Sequence, residues 1–248
     1  MGELRQVFGY GDPDCPVCHG VGYLRQDLPI SDPNFGKIWK CDCMKQVSWD
    51  DDLGISREEA CEYNWDEYMQ TEAVKVMRRH YDKVLEVGHG WLYFHGEPGN
   101  GKSIMARACA VYVYQVLGMQ TRYRKQSEIM NVLRASYDSE YGQEVYKNRM
   151  KELADVPVLI VDELGRDRAT DFGKQSLSDM LDARYQKAIL RKGITVWVSN
   201  YPPEDVLERY QIDRVRDGRF QVVKVEGASV RPVMKPREAE GNYWWNKD

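Results

Sequence analysis

A chain of 248 residues, of which 42% are hydrophobic and 30% charged, is long enough to bury a sizeable core. This composition excludes a largely disordered protein, which would combine low hydrophobicity with a high net charge. The formal net charge of −4 argues against a protein that coats nucleic acid by bulk electrostatics, so any nucleic-acid contact is expected to be local.

No apolar targeting segment is expected at the start of the sequence, because residues 1–6, Met-Gly-Glu-Leu-Arg-Gln, contain no apolar run. The longest apolar run, 156–161, is far shorter than the roughly 18 residues that suggest a membrane span. We therefore expect a cytoplasmic protein with no membrane partner.

Residues 1–50 are rich in Gly, Pro, Asp and Cys, which predicts a small module dominated by loops. Its cysteines form two close pairs, Cys15 with Cys18 and Cys41 with Cys43. Four thiolates brought together by two short turns suit tetrahedral zinc, and a site closed by four cysteines is structural. The second pair has one intervening residue where two is commoner, which leaves His19 as an alternative ligand. Metal binding would supply the folding free energy that so small a core lacks.

The middle of the chain is predicted to alternate between helices and strands. Residues 51–70 are interpreted as an acidic and aromatic linker, and 71–85 as a helix because apolar residues recur at loosely helical spacing. A strand is predicted over 91–95 and a helix over 104–117, which Gly118 ends. Later apolar runs separated by helical stretches predict an α/β domain with a largely parallel central sheet.

The segment between that strand and helix matches the P-loop pattern for binding phosphates. Its residues are Gly96, Glu97, Pro98, Gly99, Asn100, Gly101, Lys102 and Ser103, followed by Ile104 at the start of the helix. The glycines let backbone N–H groups curl around phosphates at a helix N-terminus. Lys102 is expected to reach the β- and γ-phosphates, and Ser103 to offer its hydroxyl to Mg²⁺, which prefers oxygen ligands. A strand before the loop and a helix after it are the context that this motif requires.

Polar residues follow two of the later apolar runs. Asp162 ends the run at 157–161 and is predicted to bind Mg²⁺, and Glu163 beside it to orient and deprotonate water. With a P-loop upstream, this pair predicts hydrolysis, although an acidic pair after a strand is otherwise a solvated turn. Asn200 follows the run at 194–199 and could hold the water or the γ-phosphate, but it is equally a natural turn former before two prolines.

Each of two basic stretches is either a functional site or an ordinary solvated surface. One arginine among residues 213–219 could stabilise charge on a neighbouring subunit's nucleotide, or the stretch is a solvated loop. Residues 122–125 and the helix predicted over 127–134 interleave basic groups with an aromatic, as a surface for single-stranded DNA would. A solvated strand end and helix face is at least as plausible there.

Together these motifs resemble those of the AAA+ ATPases, and within them the DnaC-type helicase loaders and the ATPase subunits of insertion-sequence transposition. The resemblance spans 71–231 and rests on Gly-Glu-Pro-Gly-Asn-Gly-Lys-Ser at 96–103, Val-Asp-Glu-Leu-Gly at 161–165, Asp-Ala-Arg-Tyr at 182–185, Val-Ser-Asn at 198–200, Asp-Arg at 213–214 and Ala-Ser-Val-Arg at 228–231. It implies that the nucleotide is ATP, which agrees with the absence of an Asn-Lys-x-Asp guanine motif. It also implies that Asn200 is sensor 1, that Arg214 is an arginine finger acting in trans, and that Arg231 is the late arginine of the ATP site.

The resemblance also implies an architecture and a function. Few residues follow Arg231, so little or no C-terminal lid is expected, and 232–248 is interpreted as a tail with Trp244 and Trp245. The implied function is loading of the replicative hexameric helicase onto single-stranded DNA by a self-assembling, ATP-dependent oligomer that docks through the zinc module. The alternatives are a transposition-helper ATPase that forms ATP-dependent assemblies on DNA, and a P-loop small-molecule kinase.

Overall fold

The computed structural model describes residues 15–25, 29–30, 32, 35, 38–41, 43, 53–63, 65, 71–137, 142–165, 170–227 and 229. Arg231, the expected tail at 232–248 and its tryptophans Trp244 and Trp245 lie outside the described residues. Within the described ranges, no helix combines the length and apolarity needed to cross a membrane.

The described residues form two sheets. The smaller one pairs β1 (Tyr23–Arg25) antiparallel with β2 (Ile38–Lys40). The other elements are, in chain order, α1 (Arg57–Ala60), α2 (Glu72–Val87), β3 (Gly90–His95), α3 (Lys102–Gln115), β4 (Thr121–Lys125), α4 (Gln126–Tyr137), α5 (Gly142–Asp155), β5 (Val158–Leu164), α6 (Asp171–Ile189), β6 (Ile194–Ser199), α7 (Pro203–Val206), α8 (Arg209–Val215) and β7 (Gln221–Lys224).

Strands β3 to β7 form the larger sheet in the order β4-β5-β6-β3-β7, and the four neighbouring pairs are all parallel. This arrangement confirms the α/β class and the parallel sheet expected from the sequence. The carboxyl ends of parallel strands meet at one edge of a sheet. The loops after β3, β5 and β6 therefore converge at the same edge.

Local signals explain where the long helices begin and end. Thr71 precedes α2 and Thr170 precedes α6, and each side chain accepts a hydrogen bond from an N–H in the first turn. Gly88 ends α2 in the left-handed conformation that glycine adopts most easily. Helix α3 differs, because Gly101 precedes it with φ of 92° and no side chain caps its N-terminus. Its first N–H groups therefore point into the loop before it.

Each face of the larger sheet packs against its own set of helices. Alternate residues of β3 show this, since Leu92 and Phe94 join one apolar core and Trp91 and Tyr93 join the other. The first core includes residues of α2 and α3, and the second includes residues of α4, α5 and α6. Helices thus cover both faces of the sheet and hold its strands, and therefore their carboxyl ends, in place.

The segment interpreted as a linker, 51–70, packs into the first core where the structure describes it. Leu53 and Ile55 are fully buried, and Trp65 stacks on Tyr112 of α3 with ring centres 5.6 Å apart. The guanidinium of Arg78 lies 4.2 Å from the centre of the same indole ring. The interpretation as a linker is wrong for these residues. Their apolar side chains follow neither a helical nor a strand period, so the pattern did not reveal a packed segment.

Candidate functional site

The loop after β3 and the carboxyl ends of β5 and β6 line a cleft of about 530 Å³ at this edge of the larger sheet. Residues 98–104 of the P-loop line it, together with Asp162, Glu163 and residues 198–201. The structure therefore brings together three groups of polar residues that are spread over about a hundred positions of the sequence. Gly96 and Glu97, the remaining P-loop residues, accept hydrogen bonds from the Lys102 side chain through their backbone carbonyl oxygens.

The Lys102 side chain folds back into the P-loop. Its Nζ donates hydrogen bonds to the carbonyl oxygens of Gly96 at 2.7 Å and Glu97 at 2.9 Å, and to Oδ1 of Asn100 at 2.9 Å. Burial lowers the pKa of this ammonium group to about 8, against the opposing attraction of Asp162 and Glu97. A phosphate that entered the loop would supply the negative charge that favours the protonated form.

The P-loop is tied to the backbone that follows β7. Asn100 is fully buried, and its Nδ2 donates to the carbonyl oxygen of Val225 at 2.8 Å. A Cβ added at Gly96, where φ is 147°, would lie 2.2 Å from that same oxygen. Glycine is therefore required at position 96 both for its conformation and for the close approach of the two backbones. Together these contacts fix the loop relative to the edge of the sheet.

The two acids lie within β5 and do not follow its end, because the strand continues through them to Leu164. The pairing of β5 with β6 shifts register between Val161 and Leu164, and Glu163 has a positive φ of 55°. A non-glycine residue in this region of φ stores strain, which is commonest at functional sites. The irregularity turns the Glu163 side chain to the cleft directly beside Asp162.

The Asp162 carboxylate is held by a hydrogen bond to each oxygen. Oδ1 accepts from the backbone N–H of Glu163 at 2.7 Å, and Oδ2 accepts from the Tyr123 hydroxyl at 2.6 Å. Burial raises the pKa of Tyr123 well above its ordinary value, and the charge of Asp162 raises it further. The phenol therefore keeps its proton. The neighbouring Glu163 carboxylate forms an ion pair with Lys125 of β4 at 3.1 Å.

Sequence reasoning missed both of these β4 partners. Tyr123 and Lys125 belong to the basic stretch for which a surface for single-stranded DNA and a solvated strand end were both considered, but Tyr123 is buried. The register of β4 against β5 places Lys125 opposite Asp162. Only the strand order could have revealed these contacts, because neither side chain is near the acids in sequence.

Asn200 lines the cleft directly after β6. The preceding side chain fixes it there, since the buried Ser199 hydroxyl donates to the carbonyl oxygen of Leu164 at 2.7 Å and accepts from the N–H of Tyr201 at 3.0 Å. These bonds join the ends of β5 and β6. The exposed Asn200 amide thus lies next to the strand that carries the two acids.

Arg214 does not line the cleft of its own chain. It lies in α8, so this part of the basic cluster is helical and not the solvated loop considered from sequence. Its guanidinium forms an ion pair with Asp182 of α6 and lies 5.5 Å and 5.7 Å from the ring centres of Tyr185 and Tyr210. These contacts hold the side chain in one orientation. Its expected action on a neighbouring subunit stays a prediction.

The four predicted zinc ligands form a compact cluster. The Sγ atoms of Cys15, Cys18, Cys41 and Cys43 all lie within 4.8 Å of one another. The pair Cys15 and Cys41 is separated by 3.7 Å and the pair Cys18 and Cys43 by 3.3 Å. A tetrahedral zinc ion with Zn–S bonds of about 2.3 Å places its sulfur atoms roughly 3.8 Å apart, so the residues fit this metal.

The backbone of the module explains this geometry. The N–H of His19 donates to the Cys15 carbonyl at 2.9 Å, which closes a turn around the first pair, and the N–H of Cys41 donates to Gly22 at 2.8 Å. Burial raises the pKa of the Cys18 thiol, but hydrogen bonds from Cys43 and Gly22 outweigh it and lower the value to about 7. His19 is exposed and lies outside the cluster. The described residues therefore favour four cysteines over the histidine alternative.

Comparison with known proteins identifies the sequence family. Residues 89–238, more than half of the chain, match the family described as IstB-like ATP binding protein. No curated protein matches the chain in sequence. The family match covers the P-loop, both acids, Asn200 and Arg214.

Several solved structures share the fold. The DnaC helicase loader aligns at 18% identity with a TM-score of 0.52, over 67% of this chain and 98% of that one. DnaI aligns at 15% identity with a TM-score of 0.54, over 72% and 95%. AMPPCP-bound DnaA from Aquifex aeolicus aligns at 15% identity with a TM-score of 0.56, over 66% of this chain and 50% of that one, so this chain spans about half the length of DnaA. At these identities the likeness concerns the AAA+ fold alone.

Proposed function

The chain belongs to the family of IstB-like ATP binding proteins, and we propose that it is an ATPase that loads a replicative hexameric helicase onto single-stranded DNA. The observation that carries this proposal is the cleft that collects the P-loop, Asp162, Glu163 and Asn200 in one place. The shared fold with the DnaC helicase loader supports the choice of task. The four-cysteine cluster lies outside the cleft, and we assign docking on the helicase to the segment that carries it.

In this proposal each cleft residue has one role. Lys102 exchanges its loop carbonyl acceptors for the β- and γ-phosphates of ATP, and the first N–H groups of α3 bind the phosphate chain. Ser103 and Asp162 offer hard oxygen ligands that fit Mg²⁺, which when bound neutralises charge on the β- and γ-phosphates. Asn200 holds the attacking water with its amide.

Glu163 is the proposed general base. Its carboxylate accepts the proton of the attacking water as the γ-phosphate is released, so it must be ionised and within reach of the cleft. In this structure the ion pair with Lys125 at 3.1 Å holds the carboxylate against β4. The base must leave Lys125, at least in part, when it turns to the water.

Self-assembly is proposed from the position of Arg214. Because its side chain is held on α6 away from its own cleft, it would complete the cleft of a neighbouring subunit. Arg214→Ala is expected to bind ATP but not to hydrolyse it. Adding Glu163→Gln subunits, which keep the arginine but lack the base, should restore turnover to the Arg214→Ala clefts. Mixed assemblies that stay inactive would contradict an action in trans.

The helicase partner is tested with the cysteine module. The protein with ATP should co-migrate with a hexameric replicative helicase in gel filtration, and Cys15→Ser should lose the helicase while still binding ATP. Cys61→Ser is the matched control, since Cys61 is exposed and outside the cluster. Helicase binding by Cys15→Ser at the level of this control would contradict docking through the module.

The transposition-helper alternative is favoured by one observation, the match to the IstB-like family itself. It predicts ATP-dependent assemblies on DNA in the absence of any helicase. Electron microscopy of the protein with DNA, ATP and helicase separates the two, because a loader leaves helicase rings on the DNA, whereas a transposition helper leaves assemblies of its own. The third alternative, a small-molecule kinase, has no such support, since a base beside the metal ligand favours water as the acceptor.

A further inference from the structure

A chain of hydrogen bonds extends from Asp162 away from the cleft. Its first link is the Tyr123 hydroxyl at 2.6 Å from Oδ2, and both residues are almost fully buried, with 3% and 1% of their surfaces exposed. With Oδ1 held by the N–H of Glu163, the plane of the Asp162 carboxylate is fixed on both sides. Tyr123 therefore decides which lone pairs Asp162 presents to the cleft.

Arg107 of α3 is the second link. Its Nε donates to the Tyr123 hydroxyl at 3.1 Å. A guanidinium can only donate, so the Tyr123 oxygen must accept this bond, and its single proton is then directed to Asp162. Arg107 thus sets the direction of the hydrogen bond that holds the carboxylate.

Tyr63 is the third link, and it lies in the segment that the sequence presents as a linker. The same guanidinium donates to the Tyr63 hydroxyl at 2.9 Å, and its carbon lies 5.9 Å from the centre of that ring and 5.5 Å from the centre of the Tyr123 ring. Glu59 of α1 adds an ion pair to Arg107 at 3.7 Å. Both partners precede Trp65, whose buried ring holds the segment on α2 and α3.

We propose that Tyr123, Arg107 and Tyr63 form a positioning relay through which docking of residues 53–63 and 65 sets the affinity of Asp162 for Mg²⁺. The inference rests on the proposed function, which assigns Mg²⁺ to Asp162. Hydrogen-bond partners of metal ligands orient the ligands, and their loss typically weakens metal affinity or activity about 10- to 100-fold. In the sequence, residues 53–63 and 65 lie between the cysteine module and α2, so the relay links the chain segment that follows the module to the nucleotide site.

The test measures how much Mg²⁺ is needed to strengthen ATP binding by half of its maximum, for the full-length protein and a fluorescent ATP analogue. Tyr123→Phe removes only the hydroxyl, and the required Mg²⁺ concentration should rise about 10- to 100-fold. Tyr63→Phe should raise it by a smaller factor. The double variant should shift it by less than the product of the two single shifts, because both act through one chain. Binding of the analogue in EDTA should not change.

Two controls make the result specific. Tyr146→Phe removes a half-buried hydroxyl that donates to the Asp179 carboxylate at 3.3 Å, away from the cleft, and should leave the Mg²⁺ requirement at its wild-type value. Asp162→Ala should abolish the Mg²⁺ effect. A wild-type Mg²⁺ requirement in either Tyr123→Phe or Tyr63→Phe, with the effect lost in Asp162→Ala, would overturn the relay alone. An intact Mg²⁺ effect in Asp162→Ala would overturn the proposed metal site.

Discussion

The P-loop domain and the cysteine module differ in what holds them together. The domain buries two apolar cores, one on each face of a five-stranded sheet. In the described part of the module, the core consists of Cys15, Cys18 and Cys41 with Leu24 and Cys43 packed against it. Burial of apolar surface can hold the domain at any metal concentration, whereas the described residues of the module bury little besides their sulfur atoms. The two regions should therefore respond to different perturbations.

Removal of zinc should have the largest effect, and only on the module. Structural zinc binding is worth about 10 to 16 kcal/mol in small zinc domains, so a strong chelator should unfold the module completely. Hydrogen exchange should then become fast at Val21 and Cys41 and stay slow in β5 and β6. ATP binding should persist, because Leu53 and Trp65 pack in the domain core. Loss of protection in β5 and β6 at the same time would mean that the metal also stabilises the domain.

Truncation of a side chain in the domain core should destabilise the domain and leave the module unchanged. Phe94 of β3 is fully buried, with its ring centre 5.0 Å from that of Tyr81. Phe94→Ala should lower the free energy of unfolding of the domain by about 3 to 5 kcal/mol in urea titrations. The zinc content should stay at the wild-type level. Phe35→Ala in the module is the matched control, since Phe35 is exposed and should change stability by less than about 0.5 kcal/mol.

The domain is not held by apolar contacts alone, because it also contains a buried arginine with several hydrogen bonds. Arg184 of α6 is 1% exposed, and burial lowers its pKa to about 10. It donates to Oγ1 of Thr195 at 2.8 Å and to three carbonyl oxygens, those of Ala154, Val156 and Ile194. It thereby ties the end of α5 to the amino ends of β5 and β6.

Arg184→Met should leave those acceptors buried without a donor and lower the free energy of unfolding by about 3 kcal/mol. Arg191→Met is the control, because Arg191 is exposed just after α6. Urea unfolding of the two variants checks this. If Arg184→Met were as stable as Arg191→Met, water would have replaced the guanidinium, and Arg184 would not stabilise the contact between α5, β5 and β6.

Local motifs were readable from the sequence, whereas contacts between distant elements were not. The P-loop and the cysteine pairs combine residue types and spacings whose chemistry is recognisable in a single segment. Asp162 and Asn200 could be assigned to one edge because parallel strands present their carboxyl ends together. The structure collects them in one cleft, and their chemical roles stay predictions.

The missed features depend on strand order and on packing. Tyr123 contacts Asp162 only because β4 lies beside β5, and no local pattern specifies that neighbour. The apolar residues around Leu53 and Trp65 do not recur at helical or strand spacing, so their burial could not be predicted from periodicity. The sequence thus located the chemistry of the cleft but not the residues that hold it in place.

The cleft is proposed to bind and hydrolyse ATP, with Glu163 as the general base. The most direct measurement compares ATP affinity and single-turnover hydrolysis for the wild-type protein and Glu163→Gln, under conditions where the protein assembles. The variant should bind ATP as tightly as the wild type, and its turnover should fall by about 100-fold or more. Hydrolysis at the wild-type rate by Glu163→Gln would contradict the account.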